Sequence, residues 1–87
     1  MGFTMCYMFE VFYSLPPNES REGALSKTVA NFGGHLGYRE SINRDKNATV
    51  CLSFEFSNLK QAEAAATALR GQGEHVEGPM EYGQRRQ

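Results

Sequence analysis

The clearest pattern in the chain is a regular alternation of apolar and polar residues from Asn47 to Phe56. One parity carries only large apolar side chains, namely Val50, Leu52, Phe54 and Phe56. Such alternation predicts a half-buried strand, because successive side chains of a strand point to opposite faces of the sheet. We expect the apolar face of this segment to lie in the core.

A second alternating segment, Thr4–Tyr13, is apolar at both parities, which is typical of a central strand. The odd positions from Met5 to Tyr13 are predicted to face the core. The even positions, which face the other way, are Cys6, Met8, Glu10 and Phe12. Pro16 and Pro17 then end the strand, since proline has no backbone N–H to pair.

Two segments have the periodicity of amphipathic helices. The first runs from Asn18 to about Phe32, with Asn18 or Ser20 as its N-cap and Gly33-Gly34 at its end. The second begins at Ser57-Asn58, and Gly71 is predicted to end it. Its apolar face consists of Leu59, Ala62, Ala65, Ala66 and Leu69.

Two further strands are predicted from weaker patterns. In His35–Ile42, one face is expected to hold Leu36, Tyr38, Glu40 and Ile42, with Gly37 as a possible bulge. In His75–Tyr82, one face is expected to hold Val76, Met80 and Tyr82. Pro79 predicts an edge strand there, because it cannot donate to a ladder. The residues 43–47 are expected to form a hairpin turn, and 83–87 a flexible tail.

The predicted order is therefore β-α-β-β-α-β in a single domain, residues 1–87, with its core in about 4–82. Right-handed crossovers give a four-stranded antiparallel sheet of order 4-1-3-2 with both helices on one face. This is the ferredoxin-like α+β sandwich. That fold carries many unrelated functions, so function has to be argued from surfaces and side chains.

Composition narrows the function classes. The net charge of -1 and the absence of a basic stripe disfavour duplex nucleic acid as a partner. No apolar run has the ~20 residues of a membrane helix, and no secretory signal is visible, so we expect a cytoplasmic protein that does not enter membranes. Cys6 and Cys51 are predicted to be reduced thiols ~13 Å apart in the sheet. We expect neither a metal site nor a cofactor.

The sheet face without helices is the predicted interface. It is expected to hold Cys6, Met8, Glu10, Phe12, Cys51, Ser53 and Glu55, with Arg39 and Glu77 nearby. Exposed apolar side chains of this kind mark contact surfaces. The sequence therefore predicts a non-catalytic association module that forms a homodimer through this face or through an edge strand.

Three alternatives remain open. A regulatory domain could bind a small metabolite at a dimer interface, next to the loop that contains Pro16, Pro17, Asn18 and Ser20. RNA binding is less favoured, since Phe54 and Phe56 have core parity and no Lys or Arg lies on their strand. Catalysis is also less favoured: His35 and His75 are the only histidines, and the glycines do not form a phosphate-binding motif.

Overall fold

The computed structural model describes residues 4–44 and 47–84. Its elements are β1 (Thr4–Ser14), α1 (Glu19–Asn31), β2 (His35–Arg44), β3 (Asn47–Phe56), α2 (Leu59–Gly71) and β4 (His75–Gln84). The strands form one four-stranded antiparallel sheet of order β2-β3-β1-β4. This confirms the predicted ferredoxin-like fold and its strand order.

Both outer strands are longer than predicted. β2 continues through Arg44 and β3 begins at Asn47, so strand pairing extends into the expected turn. Asp45 and Lys46 lie outside the described residues. β4 continues to Gln84, which corrects the predicted start of the tail, and 85–87 lie outside the described residues.

The core is built on the pairing of β1 with β3. Phe9 lies opposite Phe54, and Val11 lies opposite Leu52, with all four side chains completely buried. The Phe9 ring is 5.9 Å from that of Phe54 and 5.4 Å from that of Phe56. Burial of each such side chain stabilises the fold by about 1.5–3 kcal/mol.

The helices cover this same face of the sheet. α1 contributes Leu25 and Val29, and α2 contributes the small residues predicted for its apolar stripe together with Leu69. Leu59, expected in that stripe, is instead exposed at the start of α2. Small alanine side chains let α2 approach the sheet closely. Since both helices pack on this side, the opposite sheet face has no helix against it.

Side-chain caps and glycines set the helix ends. The Oδ1 atoms of Asn18 and Asn58 accept hydrogen bonds from the backbone N–H three residues on, at 2.9 and 3.0 Å. Each cap is worth about 1 kcal/mol. Gly33 follows α1 with φ of 89°. α2 ends at Gly71, as predicted, and the left-handed position after the helix is taken by Gly73, with φ of 92°.

A bulge in β2 changes which side chains share a face. Leu36 lies opposite Phe54, whereas Tyr38 lies opposite Ser53, so Gly37 is an extra residue without a partner. This confirms the predicted bulge. It also means that Leu36 shares the helix-covered face, while Tyr38, Glu40 and Ile42 lie on the other face. The prediction of one common face for all four is wrong.

A second bulge has the same effect in β4. Met80 lies opposite Met8 and Glu77 lies opposite Glu10, so that two residues, Gly78 and Pro79, oppose Phe9 alone. Val76 therefore packs in the core, while Met80 and Tyr82 lie on the helix-free face, contrary to the prediction. The edge position predicted from Pro79 is confirmed.

Replacing Gly78 with alanine tests the β4 bulge. Gly78 has φ of 112°, and an added Cβ would lie 3.1 Å from the carbonyl oxygen of Met8 and 3.1 Å from the Cβ of Phe9. We expect Gly78→Ala to lower the free energy of unfolding by about 1–3 kcal/mol in chemical denaturation. Gly71→Ala is the matched control, because nothing lies within 4 Å of its added Cβ. Equal effects of the two changes would contradict the bulge.

Candidate functional site

The helix-free sheet face, called the open face below, is defined by cross-strand pairs. All seven residues predicted for the interface lie on it: Cys6, Met8, Glu10, Phe12, Cys51, Ser53 and Glu55. The two bulges add Tyr38, Glu40, Met80 and Tyr82, which the sequence pattern did not place there. Their role as an interface remains a prediction.

Burial varies across the open face. Its centre is closed, because Cys51 and Ser53 are only 5% and 6% exposed. Toward the rims lie three large apolar side chains that are much more open: Tyr38 at 60%, Met80 at 45% and Tyr82 at 39%. The contact-forming atoms of this face therefore come mainly from β2 and β4, the strands where sequence patterns were weakest.

The thiol of Cys51 points at a carboxylate. Its Sγ is 3.9 Å from Oε2 of Glu10. Burial, followed by the charge of Glu10, raises the pKa of the Cys51 thiol. The thiol is therefore protonated near neutral pH and a weak nucleophile.

The other cysteine, Cys6, is also a free thiol, as predicted. Cys51 lies opposite Phe12, six positions from Cys6 along β1, so the separation is ~20 Å at strand rise and not the ~13 Å expected. In the register of β1 against β3, the residue opposite Glu55 is Met8.

The two histidines lie on opposite edge strands. His35 Nε2 is 3.4 Å from Glu55 Oε1, and His75 Nε2 is 3.0 Å from Glu77 Oε2. The first pair spans β2 and β3 and the second lies on β4, so β1 separates them and the two histidines do not converge on one substrate position. Within the described residues no group of three or more His, Cys, Asp or Glu side chains is arranged to hold a metal ion.

A second polar site, called the Tyr13 cluster, joins the end of β1 to α1 and β2. It consists of Tyr13, Arg21, Glu22, Arg39 and Glu74. The Tyr13 hydroxyl donates to Glu22 and accepts the backbone N–H of Asn18 at 2.9 Å. Burial and the bond to Glu22 raise the pKa of Tyr13, which keeps the hydroxyl a donor.

Two arginines complete the Tyr13 cluster. Arg39 donates to both oxygens of Glu22, at 2.8 and 3.1 Å, and this lowers the pKa of that carboxyl. The predicted location of Arg39 near the open face is therefore wrong, because β2 places it opposite Leu52 on the helix side. The Arg21 guanidinium lies 4.8 Å from the Tyr13 ring centre and donates to Glu74 at 2.9 Å.

The predicted ligand loop lies next to this cluster. Pro16, Pro17, Asn18 and Ser20 are all exposed. The side-chain oxygen of Asn18 caps α1, and the backbone N–H of Asn18 donates a hydrogen bond to the Tyr13 hydroxyl. The guanidinium groups of Arg21 and Arg39 are more exposed than the carboxylates they pair with, and both arginines lie outside the predicted loop residues.

The two edges of the sheet differ chemically. On β4, Arg70 donates to the carbonyl oxygens of Val76 and Gly78, at 3.0 and 2.7 Å. Pro79 lacks a backbone N–H, and the bulge in the pairing with β1 bends β4 at this point. On β2, residues 35–41 are exposed without interruption and include no proline.

Comparisons with known proteins show the fold alone. No protein-family model matches the chain. No curated protein matches it either. Among solved structures, the chain is similar to prephenate dehydratase from Streptococcus mutans, with 21% identity and a TM-score of 0.71, over 100% of this chain and 47% of that one. The chain thus spans about half the length of that enzyme chain.

A designed protein has the same architecture. The de novo protein Foldit4 is 11% identical, with a TM-score of 0.58, over 95% of this chain and 98% of that chain. A sequence designed without ancestry can thus adopt this fold, so the fold by itself identifies no activity. No helix in the described residues is long and apolar enough to cross a membrane.

Tyr13→Phe tests whether the Tyr13 cluster stabilises the fold. It removes a hydroxyl that bonds to Glu22 and to the N–H of Asn18. We expect the free energy of unfolding to fall by about 1–3 kcal/mol, because two polar groups lose a partner. Tyr38→Phe, at an exposed tyrosine, is the control and should change stability by less than about 0.5 kcal/mol. Similar values for both variants would contradict a stabilising role.

Proposed function

We propose that this chain is a small non-catalytic association module that pairs with a second copy of itself along β2. The observation that carries the proposal is the difference between the two sheet edges. At the β4 edge, two backbone carbonyl oxygens accept hydrogen bonds from Arg70, and Pro79 has no backbone N–H to donate. The β2 edge is an exposed strand without proline. A strand edge of the second kind is a template for pairing with another chain.

The side chains of β2 suit this pairing. Leu36 is 40% exposed on the helix side of the strand, and Tyr38 is 60% exposed on the open face. A second β2 placed antiparallel to the first would contact both side chains at once. It would join two four-stranded sheets into one sheet of eight strands, with backbone hydrogen bonds giving affinity and the flanking side chains giving register.

Electrostatics favour the β2 edge over the open face for self-association. The open face carries four carboxylates, those of Glu10, Glu40, Glu55 and Glu77. Two copies stacked face to face would bring eight carboxylates into one interface. Juxtaposition of like charges costs several kcal/mol in an interface. Pairing along β2 involves only Glu40 of these four, because the other three lie on β1, β3 and β4.

Leu36→Lys tests the proposed dimer in sedimentation experiments over a wide concentration range. We expect wild-type protein to be dimeric at high concentration and Leu36→Lys to be monomeric, because edge lysines oppose strand pairing. Leu59→Lys is a closely matched control, since Leu59 is 41% exposed but lies on α2, and it should remain dimeric.

A monomeric wild type at every concentration would contradict self-association altogether. Phe12→Asp separates the two predicted surfaces, because Phe12 lies on the open face and not beside the β2 edge. Loss of the dimer in Phe12→Asp, with the dimer retained in Leu36→Lys, would place the contact on the open face and overturn the β2 proposal.

A regulatory module that binds a small anionic metabolite is the second candidate. The observation that favours it is the Tyr13 cluster, which presents the partly exposed guanidinium groups of Arg21 and Arg39 beside the loop after β1. Arg39 belongs to β2, so a ligand bound there would lie next to the proposed dimer contact. Arg39 already donates two hydrogen bonds to Glu22 and Arg21 donates one to Glu74, so a small acid would be bound by the remaining N–H groups of the two guanidiniums.

Thermal denaturation with amino acids and small carboxylic acids tests this candidate. A ligand that binds only the folded state at 100 times its Kd stabilises it by about 2.7 kcal/mol. We expect stabilisation that disappears in Arg39→Gln and persists in Lys27→Gln, an exposed change on α1. An unchanged melting temperature across the panel, or equal loss in both variants, would eliminate the metabolite candidate.

A further inference from the structure

On the open face, two carboxylates lie directly opposite each other on neighbouring strands. Glu10 on β1 lies opposite Glu77 on β4, and like charges in this position destabilise a sheet. Among the described residues, the side chain of Glu10 accepts a hydrogen bond from the thiol of Cys51, and that of Glu77 lies 3.0 Å from His75 Nε2. Among the described side chains, no Lys or Arg lies within ion-pair distance of either carboxylate.

Flexible apolar side chains lie beside these charges. Met8 and Met80 are cross-strand neighbours, and Cys6 and Tyr82 form the next cross-strand pair on the same face. Met80 and Tyr82 are 45% and 39% exposed, because no helix covers this side of the sheet. Methionine has an unbranched, polarizable side chain that adapts to different partners. The surface thus combines an adaptable apolar patch with a negatively charged border.

We propose that the open face binds a basic amphipathic helix of another protein. The apolar side of such a helix would contact Met8, Met80 and Tyr82, and its Lys or Arg residues would pair with Glu10 and Glu77. Charge complementarity selects this occupant. A cationic partner relieves the repulsion between the two glutamates, whereas a nucleic acid or a second acidic open face adds to it.

The dimensions of the surface agree with a helix of this kind. A strand of ten residues, such as β3, spans ~33 Å. A helix of about 18 residues is ~27 Å long and presents one continuous apolar stripe. It can therefore lie along the sheet without using the backbone edge of β2, so this binding does not depend on the proposed dimer.

The test uses a fluorescently labelled Leu/Lys peptide of about 18 residues with amphipathic order, titrated with the full chain and followed by anisotropy. We expect binding that weakens with added salt, together with much weaker binding of the Leu/Glu counterpart. Met80→Ser and the double change Glu10→Gln with Glu77→Gln should each weaken binding by about tenfold or more.

Matched changes on the helix side provide the controls. Leu59→Ser removes an apolar side chain of similar exposure to Met80, and Glu63→Gln removes an exposed charge of α2. Both should leave the affinity unchanged. The mutated open-face positions are exposed or half-buried, and circular dichroism would confirm that each variant is folded.

Four results would overturn the proposal. These are no binding of the Leu/Lys peptide, equal binding of the Leu/Glu peptide, equal binding of a scrambled Leu/Lys peptide, and equal loss of affinity in the control variants. Equal binding of the scrambled peptide would indicate charge attraction alone. If Met80→Ser instead dissociated a wild-type dimer, the occupant of this face would be a second copy of the chain.

Discussion

The pairing of β1 with β3 is the interaction on which the rest of the structure depends. It places Phe9 against Phe54 and Phe56 at the centre of the sheet, and both helices pack their apolar residues onto that aromatic group. Because these two strands are central, β2 and β4 are left as edges with different chemistry. The same pairing holds Glu10 and Cys51 on the open face, where no helix covers them.

The fold and most of the core could be predicted because the period-two pattern is unbroken in β1 and β3. The pattern failed in β2 and β4. One extra residue at Gly37 and another at Gly78-Pro79 place every later side chain of the strand on the opposite face from the one predicted. That reversal moved Tyr38, Met80 and Tyr82 onto the open face. The bonds of Tyr13 to Glu22 and of Glu22 to Arg39 were also missed, because local periodicity carries no information on polar contacts between separate elements.

The two proposed association surfaces use different parts of the protein. The β2 edge offers backbone donors and acceptors, which give affinity with little discrimination between partners. The open face offers carboxylates and adaptable apolar side chains, which select a partner by charge and shape. A designed protein only 11% identical to this chain has the same architecture, so the fold does not depend on these particular side chains. Function in this chain is therefore to be sought in these side chains and in the Tyr13 cluster.

The most direct test of association along the β2 edge is amide hydrogen exchange, measured residue by residue in dilute and in concentrated solution. We expect amides within residues 35–41 of β2 to become more protected from exchange as the protein concentration rises. Amides of β4, where Arg70 and Pro79 already block the edge, should exchange at the same rate in both samples. Protection that is unchanged in β2, or that increases in β4 instead, would contradict association along the β2 edge.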